Sequence, residues 1–130
     1  MKYLLLALVS LLMVPGTKVN ITHNQILNDH LNKLIWCESR GKQFTVNLHD
    51  PDTASYSYFQ FKLETFNHFA KRYGLPNDDI FSYDEQWNVA KDMLQEGLGQ
   101  SMWVVCWKTM GLDGGKGIEP YISEYLNHEI

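Results

Sequence analysis

The sequence predicts an α+β protein that is mostly α-helical. Apolar residues recur at intervals of three and four through most of the 130-residue chain, as they do along one face of a helix. Over residues 44–61 the pattern changes to an alternation of apolar and polar residues, which is typical of a short β-hairpin. The length and the 45% of hydrophobic residues suit one domain with its own core.

The first sixteen residues have the pattern of a secretory signal peptide. Lys2 supplies a positive charge, and an apolar run of twelve residues (3–14) follows it. The run is shorter than the roughly 20 apolar residues of a membrane-spanning helix, so we predict cleavage after Gly16. An uncleaved anchor is the alternative. We therefore assign residues 1–16 to a signal peptide and residues 17–130 to a domain in the periplasm, the cell envelope or the medium.

The first predicted helix begins at Thr22 and places a glutamate on its apolar face. Thr22 and Gln25 have the spacing of a capping box, in which each side chain binds the other residue's backbone N–H. Glu38 continues the apolar face by one turn, and residues 39–41 end the helix. The apolar residues that define this face are Leu27, Leu31, Leu34 and Ile35.

A hairpin and several helices follow the first helix. We predict a strand over residues 44–48, a turn over residues 49–52 and a second strand over residues 56–61. The helices predicted after the hairpin cover residues 63–73, 83–94, 101–107 and 120–126. Capping residues or glycines bound most of these segments.

The composition excludes several functional classes. With a formal net charge of −4, the chain has no basic surplus that would bind nucleic acid or an anionic membrane surface. Its five histidines show neither the His-Glu-x-x-His motif nor another paired spacing. We therefore expect no metal site and no cofactor.

The chain has two cysteines, Cys37 and Cys106. In an exported protein such a pair forms a disulfide, whereas in the cytoplasm both would remain as buried free thiols. A Cys37–Cys106 bond would close a loop of 68 intervening residues and stabilise the fold by about 4 kcal/mol in the loop-entropy model. It would also fix the C-terminal end of the first helix, because Cys37 directly precedes Glu38.

Glu38 is the residue whose position has chemical consequences. A carboxyl group at the edge of a core is costly to ionise, so burial raises its pKa. A carboxylic acid that stays protonated near neutral pH can protonate the leaving oxygen of a glycoside. The alternative is a glutamate at a helix end that turns to solvent or pairs with Arg40 or Lys42.

Two segments of the chain resemble the lysozyme-like lytic transglycosylases. In that family a helix ends in Glu-Ser, and a later strand has the pattern Ser-x-Gly-Leu-(Met/Phe)-Gln. Here Glu38-Ser39 matches the first pattern, and residues 55–60 match the second except at two positions. Ser57 stands in place of the family's Gly, and Tyr58 stands in place of its Leu. The resemblance covers residues 26–107, because residues 93–107 are also similar to family members, but the Ala-Tyr-Asn-Ala-Gly segment of many members is missing after Gln60.

The resemblance implies a lysozyme-like fold in which a small β-hairpin lies beside a catalytic cleft. It implies that Glu38 is the general acid and then the base, and that Gln60 binds substrate in the cleft. Ser55 and Tyr58 lie on the same hairpin segment and are further candidates for binding. The partner implied is the glycan strand of peptidoglycan, and we expect the mature protein to act as a monomer away from membranes.

A second carboxylate would distinguish two chemistries. Asp50 or Asp52 could face Glu38 and activate a water molecule, as in hydrolytic lysozymes; the alternative is that both belong to an ordinary turn around Pro51. Without such a base, the resemblance implies that the sugar's own 6-hydroxyl closes an anhydro product. Of the four tryptophans, Trp103 is the candidate for stacking on a sugar, and the others fit core positions.

The sequence thus predicts a secreted enzyme that cleaves peptidoglycan, either a lytic transglycosylase or a lysozyme-type muramidase acting on the β-1,4 bond. The alternative is a catalytically silent glycan-binding domain that keeps the same fold. Glu38 and Gln60 favour the enzyme, whereas Ser57 and the missing later segment favour the silent domain.

Overall fold

A computed structural model of the chain describes residues 22–112. Within that range the elements are, in order, α1 (His23–Ser39), β1 (Val46–Asp50), β2 (Thr53–Tyr56), α2 (Leu63–Tyr73), α3 (Tyr83–Gln95), α4 (Gly99–Met102) and α5 (Val104–Thr109). The predicted α+β class, mostly helical and with one antiparallel hairpin, is confirmed. The predicted signal peptide (1–16) and the last predicted helix (120–126) lie outside the described residues.

Helix α1 begins and ends as its sequence predicts. Thr22 Oγ1 accepts a hydrogen bond from the backbone N–H of Gln25, and Gln25 Oε1 accepts one from the N–H of Thr22 at 2.7 Å. Arg40 ends the helix in the left-handed region with φ 55°. The Arg40 guanidinium lies 5.0 Å from the centre of the exposed Trp36 ring. The chain therefore turns away from α1 directly after Glu38 and Ser39.

The core lies between α1, α3 and α5 and includes the segment that follows β2. Phe59 is completely buried, and its ring contacts the rings of Phe61, Trp87 and Trp103. The remaining large buried apolar residues come from the inner faces of the helices: Ile26, Leu27, Leu31, Leu34, Ile35, Phe66, Val89, Met93, Leu94 and Trp107. Burial of these side chains supplies the main stabilising term of the fold.

The hairpin differs from the sequence prediction at its second strand. Strand β2 covers Thr53–Tyr56, so the strand predicted over residues 56–61 is wrong except at Tyr56, and residues 57–60 form a tight turn. Tyr56 and Phe61 exchange backbone hydrogen bonds of 2.9 and 3.2 Å across that turn. The alternation over residues 56–61 arises because the turn buries Phe59 and Phe61, not because the strand continues. The first strand also lies two residues later than predicted, at Val46–Asp50.

Two residues other than glycine adopt left-handed backbone conformations in this turn. Ser57 has φ 64° and Gln60 has φ 53°. A side chain at such a position costs roughly 1–2 kcal/mol relative to glycine. Ser57 is also completely buried, and its Oγ has no hydrogen-bond partner among the described residues. Ser57, one of the two residues that depart from the family pattern, therefore has a strained backbone and an unsatisfied hydroxyl.

We expect Ser57→Gly to raise the free energy of unfolding by about 1 kcal/mol. The change removes the left-handed penalty and an unsatisfied buried hydroxyl, and the larger backbone entropy of glycine in the unfolded chain offsets part of the gain. Denaturant unfolding measures the difference. Ser57→Ala is the matched control, because it removes the hydroxyl and keeps the strained Cβ. A Ser57→Gly variant less stable than wild type would contradict this account of the turn.

Candidate active site

Glu38 lies in a cleft of about 250 Å³ between the end of α1, the hairpin and the end of α4. The other polar residues that line this cleft are Asp50, Ser55, Gln60, Lys62 and Thr65, and its apolar side includes Trp103 and Met102. Two short segments of the sequence, residues 38–39 and 55–60, thus contribute residues to the same cleft. The position of Glu38, the second-last residue of α1, directs its carboxyl group into the opening.

The environment of Glu38 favours its protonated form. Burial, the larger cause, and the nearby negative charge of Asp50 together raise the pKa of Glu38 from the ordinary value of 4.5 to about 7. Within residues 22–112 no ion pair joins Glu38 to Arg40 or Lys42, the partners that an ordinary helix-end glutamate would use. Glu38 is therefore placed to act as a proton donor near neutral pH.

The raised pKa of Glu38 predicts a specific dependence of stability on pH. The folded state holds the Glu38 proton more tightly than the unfolded state, so this group's contribution to stability is lost as pH rises from about 4.5 to about 7. Glu38→Gln removes that loss. We expect the variant to gain stability relative to wild type between pH 5 and pH 8.

Thermal unfolding at the two pH values measures this gain. Asp50 and Lys62, the other charged residues that line the cleft, are present in both proteins, so the comparison isolates Glu38. Glu64→Gln, at an exposed position of α2, serves as the control for loss of a carboxyl group. A difference between Glu38→Gln and wild type that stays constant from pH 5 to pH 8 would show that the Glu38 carboxyl is not perturbed.

The structure distinguishes the two candidate second carboxylates. Asp50, the last residue of β1, lines the cleft with Glu38 and accepts a 2.8 Å hydrogen bond from the Ser55 hydroxyl to its Oδ2. Asp52 is exposed in the two-residue turn of the hairpin and does not line the cleft. Only Asp50 is therefore placed to act on the same bond as Glu38.

The four predicted substrate-binding residues have different positions. Ser55, Gln60 and Trp103 line the cleft. Gln60 Nε2 donates hydrogen bonds to the carbonyl oxygens of Thr45 and Ser57, so this amide also holds the turn. Trp103 is 4% exposed, and its Nε1–H donates to Phe59 O at 2.9 Å. It forms the wall of the cleft and part of the core.

Tyr58 is the predicted binding residue that the structure does not bring into the cleft. Its ring packs edge-on against Tyr83 on α3, with 5.1 Å between ring centres. The cause is the turn at residues 57–60, since a left-handed Ser57 rotates the chain so that Phe59 faces the core and Tyr58 faces α3. A continuous strand would have placed Tyr58 on the same face as Tyr56 and Gln60.

The Cys37–Cys106 disulfide is present, as predicted. It joins the last turn of α1 to α5 across a sequence separation of 69 residues, with the two Cα atoms 5.8 Å apart. Cys37 directly precedes Glu38, and Trp103 of the cleft lies three residues before Cys106. The bond therefore connects two walls of the cleft.

Sequence analysis did not identify Gln86, which stabilises the turn over residues 57–60 from inside the core. Gln86 is completely buried on α3. Its Oε1 accepts a 2.9 Å hydrogen bond from the N–H of Phe59, and its Nε2 donates to the carbonyl oxygens of Tyr56 and Ile80. Its place at helical spacing between Tyr83 and Ala90 could have indicated an inward-facing polar residue.

Lys62 is a second site residue that the sequence did not indicate. Its ammonium group donates hydrogen bonds to the carbonyl oxygen and Oγ1 of Thr53 at 3.1 and 3.2 Å, and its side chain lines the cleft. A lysine just before a helix is ordinarily a solvated surface residue, and no pattern in the sequence distinguishes this one.

Residues 22–112 contain no cluster of three or more His, Cys, Asp or Glu side chains arranged to hold a metal ion. They also contain no helix long and apolar enough to cross a membrane.

Comparisons with protein-family models, with curated proteins and with solved structures find no match to this chain. The resemblance to the lysozyme-like lytic transglycosylases, carried by Glu38-Ser39 and residues 55–60, therefore stays a prediction from the sequence.

Proposed function

We propose that the protein is a glycosidase that cleaves the β-1,4 bonds of peptidoglycan glycan strands, with Glu38 as the general acid. The observation on which this proposal depends is a carboxyl group in an open cleft whose pKa is raised to about 7. A glycosidase needs such a group, because the leaving oxygen must be protonated as its bond to the sugar breaks. The motif resemblance supplies the substrate class.

The reaction requires Glu38 to act twice. In the first step its proton moves to the glycosidic oxygen, the bond from that oxygen to C1 breaks, and positive charge develops on the sugar ring. Glu38 is then a carboxylate and can accept a proton from the nucleophile that attacks C1. That nucleophile is a water molecule in a muramidase and the sugar's 6-hydroxyl in a transglycosylase. The negative charge of Asp50 in the same cleft would stabilise the cationic transition state.

The position of Asp50 favours the hydrolytic route of the two. The Ser55 hydroxyl holds one Asp50 oxygen, and the other remains to orient water. We expect Asp50→Asn to lower the cleavage rate by about 10²-fold, the lower end of the range for a lost acid–base group. Asp52→Asn, two residues away in the exposed turn, is the matched control and should cleave at the wild-type rate.

Mass spectrometry of purified peptidoglycan digested by the wild-type protein tests both the function and the route. Soluble fragments with reducing ends, together with an impaired Asp50→Asn variant, are the expected result. Fragments with anhydro ends and a fully active Asp50→Asn variant would instead indicate the transglycosylase route. Binding to the wall with no soluble fragments would support the alternative of a catalytically silent glycan-binding domain.

We also propose that the protein acts outside the cytoplasm, as a monomer. The Cys37–Cys106 bond supports this location, because disulfides persist in secreted and periplasmic proteins and are rare in the reducing cytoplasm. The predicted signal peptide over residues 1–16 would provide the route of export.

A further inference from the structure

A second groove adjoins the Glu38 cleft on the other side of β2. We call it the side groove; it measures about 310 Å³ and lies between Thr53, Ala54 and Tyr56 of β2 and the first residues of α2. Lys62 and Thr65 line both the side groove and the cleft, so the two cavities adjoin at these two residues. A glycan in the cleft would place its substituents at this boundary.

We propose that the side groove binds the peptide stem of peptidoglycan and that the Lys62 ammonium binds a carboxylate of that stem. The inference rests on the proposed function and names the part of the substrate that the cleft itself does not hold. The stem is joined to the lactyl group of every second sugar, and it carries free carboxylates. It must therefore leave a glycan-binding cleft sideways, through an opening of the kind that the side groove provides.

Where the cleft and the side groove adjoin, the charges of the lining residues favour an anionic ligand at Lys62 alone. Among the described residues that line the two cavities, Lys62 is the only cation, and Glu38, Asp50 and Glu64 are acidic. Two hydrogen bonds to Thr53 hold the Lys62 ammonium in place. An ammonium group has three donors, so one N–H remains for a ligand carboxylate. The acidic neighbours would repel an anionic stem from any other part of the boundary.

The backbone of β2 favours a peptide over a sugar as the occupant of the side groove. Tyr56 exchanges its backbone hydrogen bonds with Phe61, so its N–H and C=O point away from β1. Backbone groups two residues apart on a strand point the same way, so those of Ala54 face the side groove. Strand edges of this kind pair with the amides of bound peptides. Leu63, 51% exposed, offers an apolar contact to a stem side chain.

Cleavage of two matched substrates tests this inference. One is glycan strands with intact stems, and the other is the same strands after an amidase has removed the stems. We expect Lys62→Gln to lower kcat/KM on the stem-bearing strands by about tenfold more than on the stem-free strands, the equivalent of one charge-assisted hydrogen bond to the stem. Lys62→Arg keeps the cation and should keep most of the preference. Lys71→Gln, at an exposed position later on α2, is the control and should change neither rate.

Two outcomes of the cleavage assay would overturn the inference. If Lys62→Gln loses rate equally on both substrates, Lys62 only supports the hairpin through Thr53. If it loses rate on neither, the side groove does not bind the stem.

A binding measurement keeps the inference separate from the proposed function. A tetrapeptide stem released by amidase is titrated into the ¹⁵N-labelled full chain, and the amide shifts are followed by NMR. We expect shifts at Ala54, Lys62 and Leu63 that are lost in Lys62→Gln. Peptide binding without any glycan cleavage would contradict the proposed function and support this inference. Glycan cleavage without peptide binding would support the proposed function and contradict this inference.

Discussion

Replacement of Glu38 by glutamine is expected to abolish glycan cleavage while the fold remains intact. The amide keeps the shape of the side chain in the cleft, but it cannot donate a proton to the leaving oxygen. Loss of general acid catalysis alone lowers a rate by about 10²- to 10⁴-fold. Release of soluble fragments from labelled peptidoglycan measures the loss. Unfolding curves at neutral pH should show a variant at least as stable as wild type, because an amide avoids the cost of ionising the Glu38 carboxyl.

The control for this variant is Asp52→Asn, which removes a carboxylate from the exposed turn of the same hairpin. It should leave fragment release unchanged. Wild-type turnover in Glu38→Gln would contradict the assignment of Glu38 as the acid, whatever the product. The combination of lower activity and higher stability at neutral pH is specific, because a variant that merely disturbs the cleft would lose both.

Reduction of the Cys37–Cys106 bond should have the largest effect on stability. A cross-link across 69 residues restricts the unfolded chain, and the loop-entropy model gives a stabilisation of about 4 kcal/mol. For a domain of this size that is a large fraction of the total. A Cys37→Ser, Cys106→Ser variant compared with wild type by denaturant unfolding measures the difference. A difference below about 1 kcal/mol would mean that packing of α5 against α1 already supplies the constraint.

The same bond should also affect the rate of cleavage. Cys37 precedes Glu38 in the last turn of α1, so the disulfide fixes the direction in which the carboxyl group leaves the helix. Catalytic groups must be held within about 0.5 Å of their productive positions. We expect the reduced protein to cleave more slowly than the oxidised protein at temperatures where both are folded. Equal rates would show that the packing of Leu34 and Ile35 positions Glu38 without the bond.

Local rules predicted much of this fold. The capping box at Thr22, the apolar face of α1 and the place of Glu38 on that face follow from helical spacing and are present in the structure. The pairing of the two cysteines followed from their number and the expected export. In each case the relevant interaction is either close in sequence or leaves a single possible partner, so no knowledge of the tertiary fold was needed.

The turn over residues 57–60 could not be predicted, because its cause is tertiary. Ser57 and Gln60 adopt left-handed conformations that their residue types disfavour, so local preference indicates a strand instead. What holds them is burial of Phe59 and the two hydrogen bonds by which Gln86 accepts from the N–H of Phe59 and donates to the carbonyl oxygen of Tyr56. The displacement of Tyr58 from the cleft follows from the same turn.

The role of the cleft residues was likewise only partly visible in the sequence. Asp50 and Asp52 have the same type and nearly the same position, and they differ only because β1 extends to Asp50 and directs it inward. Lys62 belongs to the cleft through hydrogen bonds to Thr53, nine residues earlier, which depend on how α2 packs against the hairpin.

Titration of the Glu38 carboxyl group itself tests whether the cleft prepares a proton donor. The side-chain ¹³C shift of Glu38, followed by NMR from pH 4 to pH 9, should show a midpoint near the expected pKa of about 7. In Asp50→Asn the midpoint should fall but stay above 4.5, because burial is the larger cause of the shift and the charge of Asp50 the smaller. A wild-type midpoint near 4.5 would mean that Glu38 is an ordinary solvated carboxylate, and Glu38 could then not serve as the acid at neutral pH.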